Sequence, residues 1–159
     1  MECLIINDGI IQGYERKSQL VRFPEDEAFV IDMDAITKYK FNYNVYGELS
    51  KYIEFTLMAL PYTESDFIDI LMAGATRVVV NNTIPDKTLE KFMDLSEEIV
   101  MNCQSYTDVA RFRRMSGNMF LSCRLFDRNG LYFYYGPFEK EDEHVIWLPA
   151  FPENLKNSC

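Results

Sequence analysis

The chain has 159 residues, of which 48% are hydrophobic and 14% aromatic. That suits a single domain able to bury roughly 68–70% of its unfolded surface. Sixteen Lys and Arg against 25 Asp and Glu give a formal charge of -9, which argues against nucleic-acid or anionic-membrane partners. No run approaches the roughly 18 consecutive apolar residues that span a bilayer. No basic segment precedes the first apolar run, so a cytoplasmic protein without a secretory signal is expected.

The N-terminal run Cys3 to Ile6 predicts a strand, closed by the turn residues Asn7, Asp8 and Gly9 and followed by the apolar pair Ile10 and Ile11. Tyr14 to Glu27 is polar and contains Pro24, which predicts loop with an edge strand at Gln19 to Phe23. Ala28 to Ile31 is a short apolar run that predicts a buried strand ending at Asp32 and Asp34. Tyr39 to Glu48 fits either a short helix or an irregular loop. Tyr52 to Met58 predicts a third strand, closed by Pro61.

Thr63 and Asp66 have the spacing of an N-terminal helix cap, and Phe67, Ile70 and Leu71 then recur with helical period. Arg77 to Val80 predicts a buried strand bounded by Asn81 and Asn82. Pro85 and Asp86 suit the first turn of the next helix, which presents Leu89, Phe92 and Met93. Glu98 to Met101 predicts another strand. Helices alternating with near-continuous apolar strands indicate parallel β/α packing. Ser105 and Asp108 form a second capping pair, and a helix over Val109 to Met115 carries Arg111, Arg113 and Arg114 on what reads as a solvated face. Met119 to Leu125 and Leu131 to Tyr135, joined through Asn129-Gly130, predict a β-hairpin. Val145 to Leu148 adds a last short strand.

Four cysteines, Cys3, Cys103, Cys123 and Cys159, form no Cys-x-x-Cys pair, and His144 is the single imidazole. No metal and no cofactor are expected. Most of these thiols read as small core or strand residues, and Cys159 as an exposed, reactive thiol at the end of the chain.

The run from Phe67 to Phe92, FIDILMAGATRVVVNNTIPDKTLEKF, resembles a β/α unit of the histidine-biosynthesis sugar-phosphate isomerase and cyclase barrels. Asp8-Gly9 and the segment Val30 to Ala35 resemble the first two strands of those barrels, and Cys123 to Gly130 is similar to the fifth. The resemblance implies an α/β fold with a partial TIM-barrel-like, mostly parallel sheet. On it, residues 1–159 form a single domain related to the N-terminal half of a (β/α)8 barrel, with the hairpin at its C-terminal end. The family's working positions differ here. Ile5 stands where the first-strand aspartate would be, and Phe126 near its fifth-strand partner, with Asp127 one residue away. Met58-Ala59-Leu60 and Asn81-Asn82 replace the glycines that let backbone amides reach a phosphate. The family's isomerisation, which needs a proton donor and an acceptor on opposite sides of the sugar, is therefore not expected.

Asp32, Asp34, Asn81 and Asn82 are the candidate ligand-binding residues, because they follow strand ends where β/α proteins gather their sites. The two acids suit a shared proton or a cation, or else a helix cap. The two asparagines suit a polar ligand, or else a turn. Asp8, Asp127 and His144 are explained by turns and surface. Tyr39, Tyr43, Tyr46, Tyr132, Tyr134 and Tyr135 suit an interface, and a partial barrel leaves unpaired strand edges. Two functions follow. One is a non-catalytic protein acting as a homo-oligomer or with a protein partner. The other is a small cytoplasmic enzyme or sensor for a polar small molecule bound at the strand ends.

Overall fold

A computed structural model describes residues 1–140 and 142–156; Cys159 lies outside them. The strands are β1 (Cys3–Asn7), β2 (Ile10–Ile11), β3 (Glu27–Asp32), β4 (Glu54–Met58), β5 (Arg77–Asn81), β6 (Ile99–Asn102), β7 (Met119–Ser122), β8 (Leu131–Tyr134) and β9 (Val145–Trp147). The helices are α1 (Lys17–Val21), α2 (Met33–Lys38), α3 (Tyr43–Ser50), α4 (Glu64–Met72), α5 (Asp86–Leu95) and α6 (Tyr106–Arg114), with a final 3₁₀ turn at Glu153–Leu155.

All nine strands belong to one sheet in the order β2-β1-β3-β4-β5-β6-β7-β8-β9. Only β2 is antiparallel; every other pair runs parallel. This is the expected α/β, partial TIM-barrel-like architecture. A turn joins β1 to β2, helices link the strands from β2 as far as β7, and no helix lies between β7 and β8 or, among the described residues, between β8 and β9. The sheet curls strongly. Phe29 on β3 lies 5.8 Å from Phe133 on β8 across the concave side, and the Met1 amino group donates to the Trp147 carbonyl at 2.8 Å. The pairs Ile6–Ile11 and Asn7–Ile10 place β2 on the free edge of β1, the edge to which a closing strand would have to bind.

Successive residues of a strand face opposite sides, and here both sides are buried. Val78 and Val80 pack toward the helices, in one cluster with Ala28, Val30, Phe55, Leu57 and Met101. Val79 points inward with Phe29, Ile31, Met58, Val100, Leu121 and Phe133. Each of these side chains larger than alanine contributes roughly 1.5–3 kcal/mol of burial. On the helix side, the rings of Phe67 and Phe92 stack at 4.3 Å and join α4 to α5. The Thr63 hydroxyl accepts from Asp66 N at 3.1 Å and starts α4 as the sequence predicts.

Four local expectations are corrected. Gln19–Phe23 is not an edge strand; Leu20 there is buried on α1. The segments flanking Asn129-Gly130 do not form a hairpin, because β7 and β8 pair in parallel register, Met119 opposite Leu131 and Ser122 opposite Tyr134. The arginines of α6 are not simply solvated: Arg111 pairs with Asp86 at 2.7 Å and Arg113 with Asp127. Ser105 precedes α6 without a side-chain capping bond.

Candidate functional site

Strand parity decides where the predicted site residues point. On β3, Phe29 and Ile31 face the interior, whereas Ala28 and Val30 face the helices. Asp32 continues the second set, and its carboxyl group enters the helix layer. There it accepts from Ala35 N at 3.1 Å, which caps α2, and from Asn42 N at 3.2 Å. It also accepts from Asn42 Nδ2 at 3.0 and 3.1 Å and from the buried Tyr46 hydroxyl. Asp32 is 0% exposed, so these donors replace water as its hydration.

Asp34, on the first turn of α2, accepts from Asp8 N at 3.0 Å and Gly9 N at 2.9 Å. Asn42 Nδ2 donates to it as well, at 2.9 Å. Burial raises the Asp34 pKa, but the Asn42, Gly9 and Asp8 hydrogen bonds and the Lys38 charge outweigh it and hold the group below the usual carboxylate range. Burial, followed by the charge and hydrogen bond of Asp32, pushes the Tyr46 hydroxyl up. Asn42 thus joins two carboxyl groups and ties the β1–β2 turn to the α2–α3 loop. Both acids lie together, as the sequence suggests, in a cluster built of protein donors.

The asparagines lie on other strands. Asn81 shares the parity of Val79 and faces inward at the end of β5. Its Oδ1 accepts from Asn82 N at 3.0 Å and from Asn102 Nδ2, on the neighbouring β6, at 3.5 Å. Asn82 turns away, donating from Nδ2 to Asp108 at 3.1 Å, while its carbonyl accepts from Arg111 at 2.8 Å. No hydrogen bond joins the Asp32–Asp34 pair to the Asn81–Asn82 pair among the described residues. Sequence reasoning missed Asn42, whose partners lie 8 and 10 residues before it with no periodic signal. Asn102 was legible in principle, since it ends the next strand as Asn81 ends its own.

The interior beyond the strand ends is lined by apolar side chains, while Asn81 and Asn102 stay half-buried. Tyr135 and Phe151 stack at 4.2 Å, and Phe151 also reaches Phe29 at 6.1 Å. Met33, Ile36, Leu60 and Leu155 pack against the same cluster. Three surface clefts lie elsewhere. One of 280 Å³ sits between the β1–β2 turn, α1 and α3, one of 350 Å³ beside Asp127, Arg128 and His144, and one of 450 Å³ near Arg77 and Glu98. None of these three is lined by Asp32, Asp34, Asn81 or Asn82.

Four of the six tyrosines that suited an interface belong to the core. Tyr46, Tyr132, Tyr134 and Tyr135 are buried, and the Tyr132 hydroxyl donates to Asp127. Tyr39 does reach the surface, stacked on Tyr62 at 4.9 Å, with Tyr62 57% exposed. The hydroxyls of Tyr39 and Tyr43 donate to Asp66 at 2.8 and 3.3 Å. Among the described residues no group of three or more His, Cys, Asp or Glu is placed to hold a metal ion. No described helix is long and apolar enough to cross a membrane.

The class that fold and site define is an α/β protein with a curled, mostly parallel half-barrel sheet whose acidic strand-end residues are turned into the helix layer. No family model matches the chain, and no curated protein matches it significantly. The segment that resembles the fifth strand of the isomerase barrels, Cys123 to Gly130, follows β7, which is the sixth parallel strand in order.

Proposed function

We propose that this chain is a non-catalytic, barrel-derived protein that acts by associating with a second copy of itself or with a protein partner. It would be a degenerate relative of the histidine-biosynthesis barrels. One observation carries the reading: the concave side at the strand ends, where a β/α enzyme keeps its pocket, is lined by the buried Tyr135 and Phe151 and the half-buried Met33 and Leu60. The carboxyl groups that chemistry would need are turned the other way and occupied by Asn42, Tyr46 and backbone amides. Association is supported by the exposed Tyr39–Tyr62 stack, by Met72 at 81% exposure on α4, and by β9, an edge strand.

Light scattering across a concentration series tests the self-association half. The expected result is a mass that rises with concentration and falls back in Tyr62→Ser. A monomer at every concentration overturns self-association. A second reading, a sensor for a polar metabolite, draws on the paired carboxamides of Asn81 and Asn102 at adjacent inward-facing strand ends. A ligand on these groups would make thermal stabilisation by that ligand sensitive to Asn102→Ala and insensitive to Tyr62→Ser.

A further inference from the structure

The Asn129-Gly130 step is a strong turn signal in a place where no hairpin forms. Its surroundings belong to a clamp between α6 and the β7–β8 connection. Arg113 donates to both carboxylate oxygens of Asp127, and its Nη2 also donates to the Asn129 carbonyl at 2.5 Å. Asp127 Oδ1 accepts in turn from Asn129 N at 3.1 Å. Gly130 has φ +93°, and a Cβ there would lie 2.4 Å from the Asn118 carbonyl oxygen. The fold therefore requires glycine at this position. Two polar groups are left over. Residue 129 is exposed, and neither its side-chain carboxamide nor the Gly130 amide has a hydrogen-bond partner among the described residues.

An asparagine followed by glycine can lose ammonia without an enzyme. The Gly130 amide nitrogen, after giving its proton to hydroxide, attacks Cγ of Asn129. A C–N bond forms, the side-chain nitrogen leaves as ammonia, and a five-membered succinimide remains. Water opens the ring at either carbonyl and yields an aspartyl or isoaspartyl residue at position 129. The sum is one water consumed and one ammonia released, with no oxidation or reduction. The first step depends on how readily the Gly130 amide loses its proton. The Arg113 guanidinium is bonded to the carbonyl of that same peptide unit. A cation on this oxygen draws electron density from the nitrogen and stabilises the anion that attacks.

We propose that Asn129 is a site of spontaneous deamidation, promoted by the Arg113 contact with the Asn129–Gly130 peptide. The product carries a new carboxylate beside Arg113 that competes with Asp127. In its isoaspartyl form it also lengthens the backbone of the β7–β8 connection.

Peptide mapping by mass spectrometry after timed incubation at mildly alkaline pH tests the proposal, with folded and urea-unfolded protein run in parallel. The expected result is conversion at Asn129 in the folded wild type and several-fold slower conversion in folded Arg113→Gln. The two proteins should convert at equal rates once unfolded, where the contact is lost. Circular dichroism checks that the variant folds. If it does not, Asp127→Asn decides: it leaves Arg113 on the Asn129 carbonyl without a competing carboxylate, so folded conversion should match or exceed the wild type. The proposal is overturned if folded wild type stays intact while the unfolded chain converts. Equal folded rates in Arg113→Gln and wild type, or slower conversion in Asp127→Asn, would overturn it as well.

Discussion

Replacing Asp32 by alanine removes the acceptor shared by Ala35 N, Asn42 N, Asn42 Nδ2 and the Tyr46 hydroxyl. Leaving a buried donor unsatisfied costs about 1–3 kcal/mol. Tyr46 is 0% exposed and cannot turn to solvent, whereas the half-buried Asn42 recovers part of its loss through water. The expected destabilisation is about 3–5 kcal/mol, less than the simple sum because of that recovery. For a domain of this size each kcal/mol moves Tm by about 2–4 °C, so thermal unfolding followed by circular dichroism should show a fall of roughly 6–20 °C. Tyr46→Phe removes one donor together with its need for an acceptor and should lower stability by only about 1 kcal/mol. In the double variant the two effects should be less than additive, because the hydroxyl has no partner left to lose. A Tm for Asp32→Ala within about 2 °C of wild type would refute the assignment of Asp32 as a structural acceptor.

Three further outcomes follow from the same packing and electrostatics. Asp34 and Asp127 both have depressed folded-state pKa values, Asp127 at about 2 through its Arg113 hydrogen bond. Their stabilisation is therefore fully present above the unfolded carboxylate pKa of about 4 and lost as pH falls through the folded values. Urea midpoints should drop between about pH 4 and pH 2, and less steeply in Asp34→Asn; a slope unchanged by that substitution contradicts the coupling. Phe151→Ala removes a ring that stacks on Tyr135 and meets Phe29 at a tilt and should cost about 3–5 kcal/mol in urea unfolding; a loss under about 1 kcal/mol would mean that the ring is not packed there. Gly130→Ala combines φ +93° with a 2.4 Å approach to the Asn118 carbonyl, so it should lower Tm clearly, and a neutral result would mean the β7–β8 connection adopts another path.

Much of the fold is legible because its strands are short apolar runs bounded by turn and cap residues. Arg77–Asn81 and Ile99–Asn102 fall where the sequence puts them, and Thr63 caps α4 through Asp66. The same property hides the direction of the site. A strand buried on both faces, such as Ala28–Val30–Ile31, has no polar alternation to mark its interior side. Nothing local then reveals that the face Asp32 shares with Val30 is the helix side rather than the interior. The Asn129-Gly130 turn misleads for a related reason: its local preference does not register that β8 pairs parallel to β7. The tyrosines of β8 read as an interface because burial by Phe120, Asp127 and the following loop is a tertiary matter. Asn42, the group that binds both acids, sits just before α3 in a segment of weak periodicity.

Native mass spectrometry of the protein as purified tests most directly whether this chain works by association rather than at a ligand pocket. The expected result is assemblies whose masses are whole multiples of the chain, alone or with a bound protein, and no added small-molecule mass. A monomer retaining a small polar molecule, lost on Asn102→Ala, would contradict it.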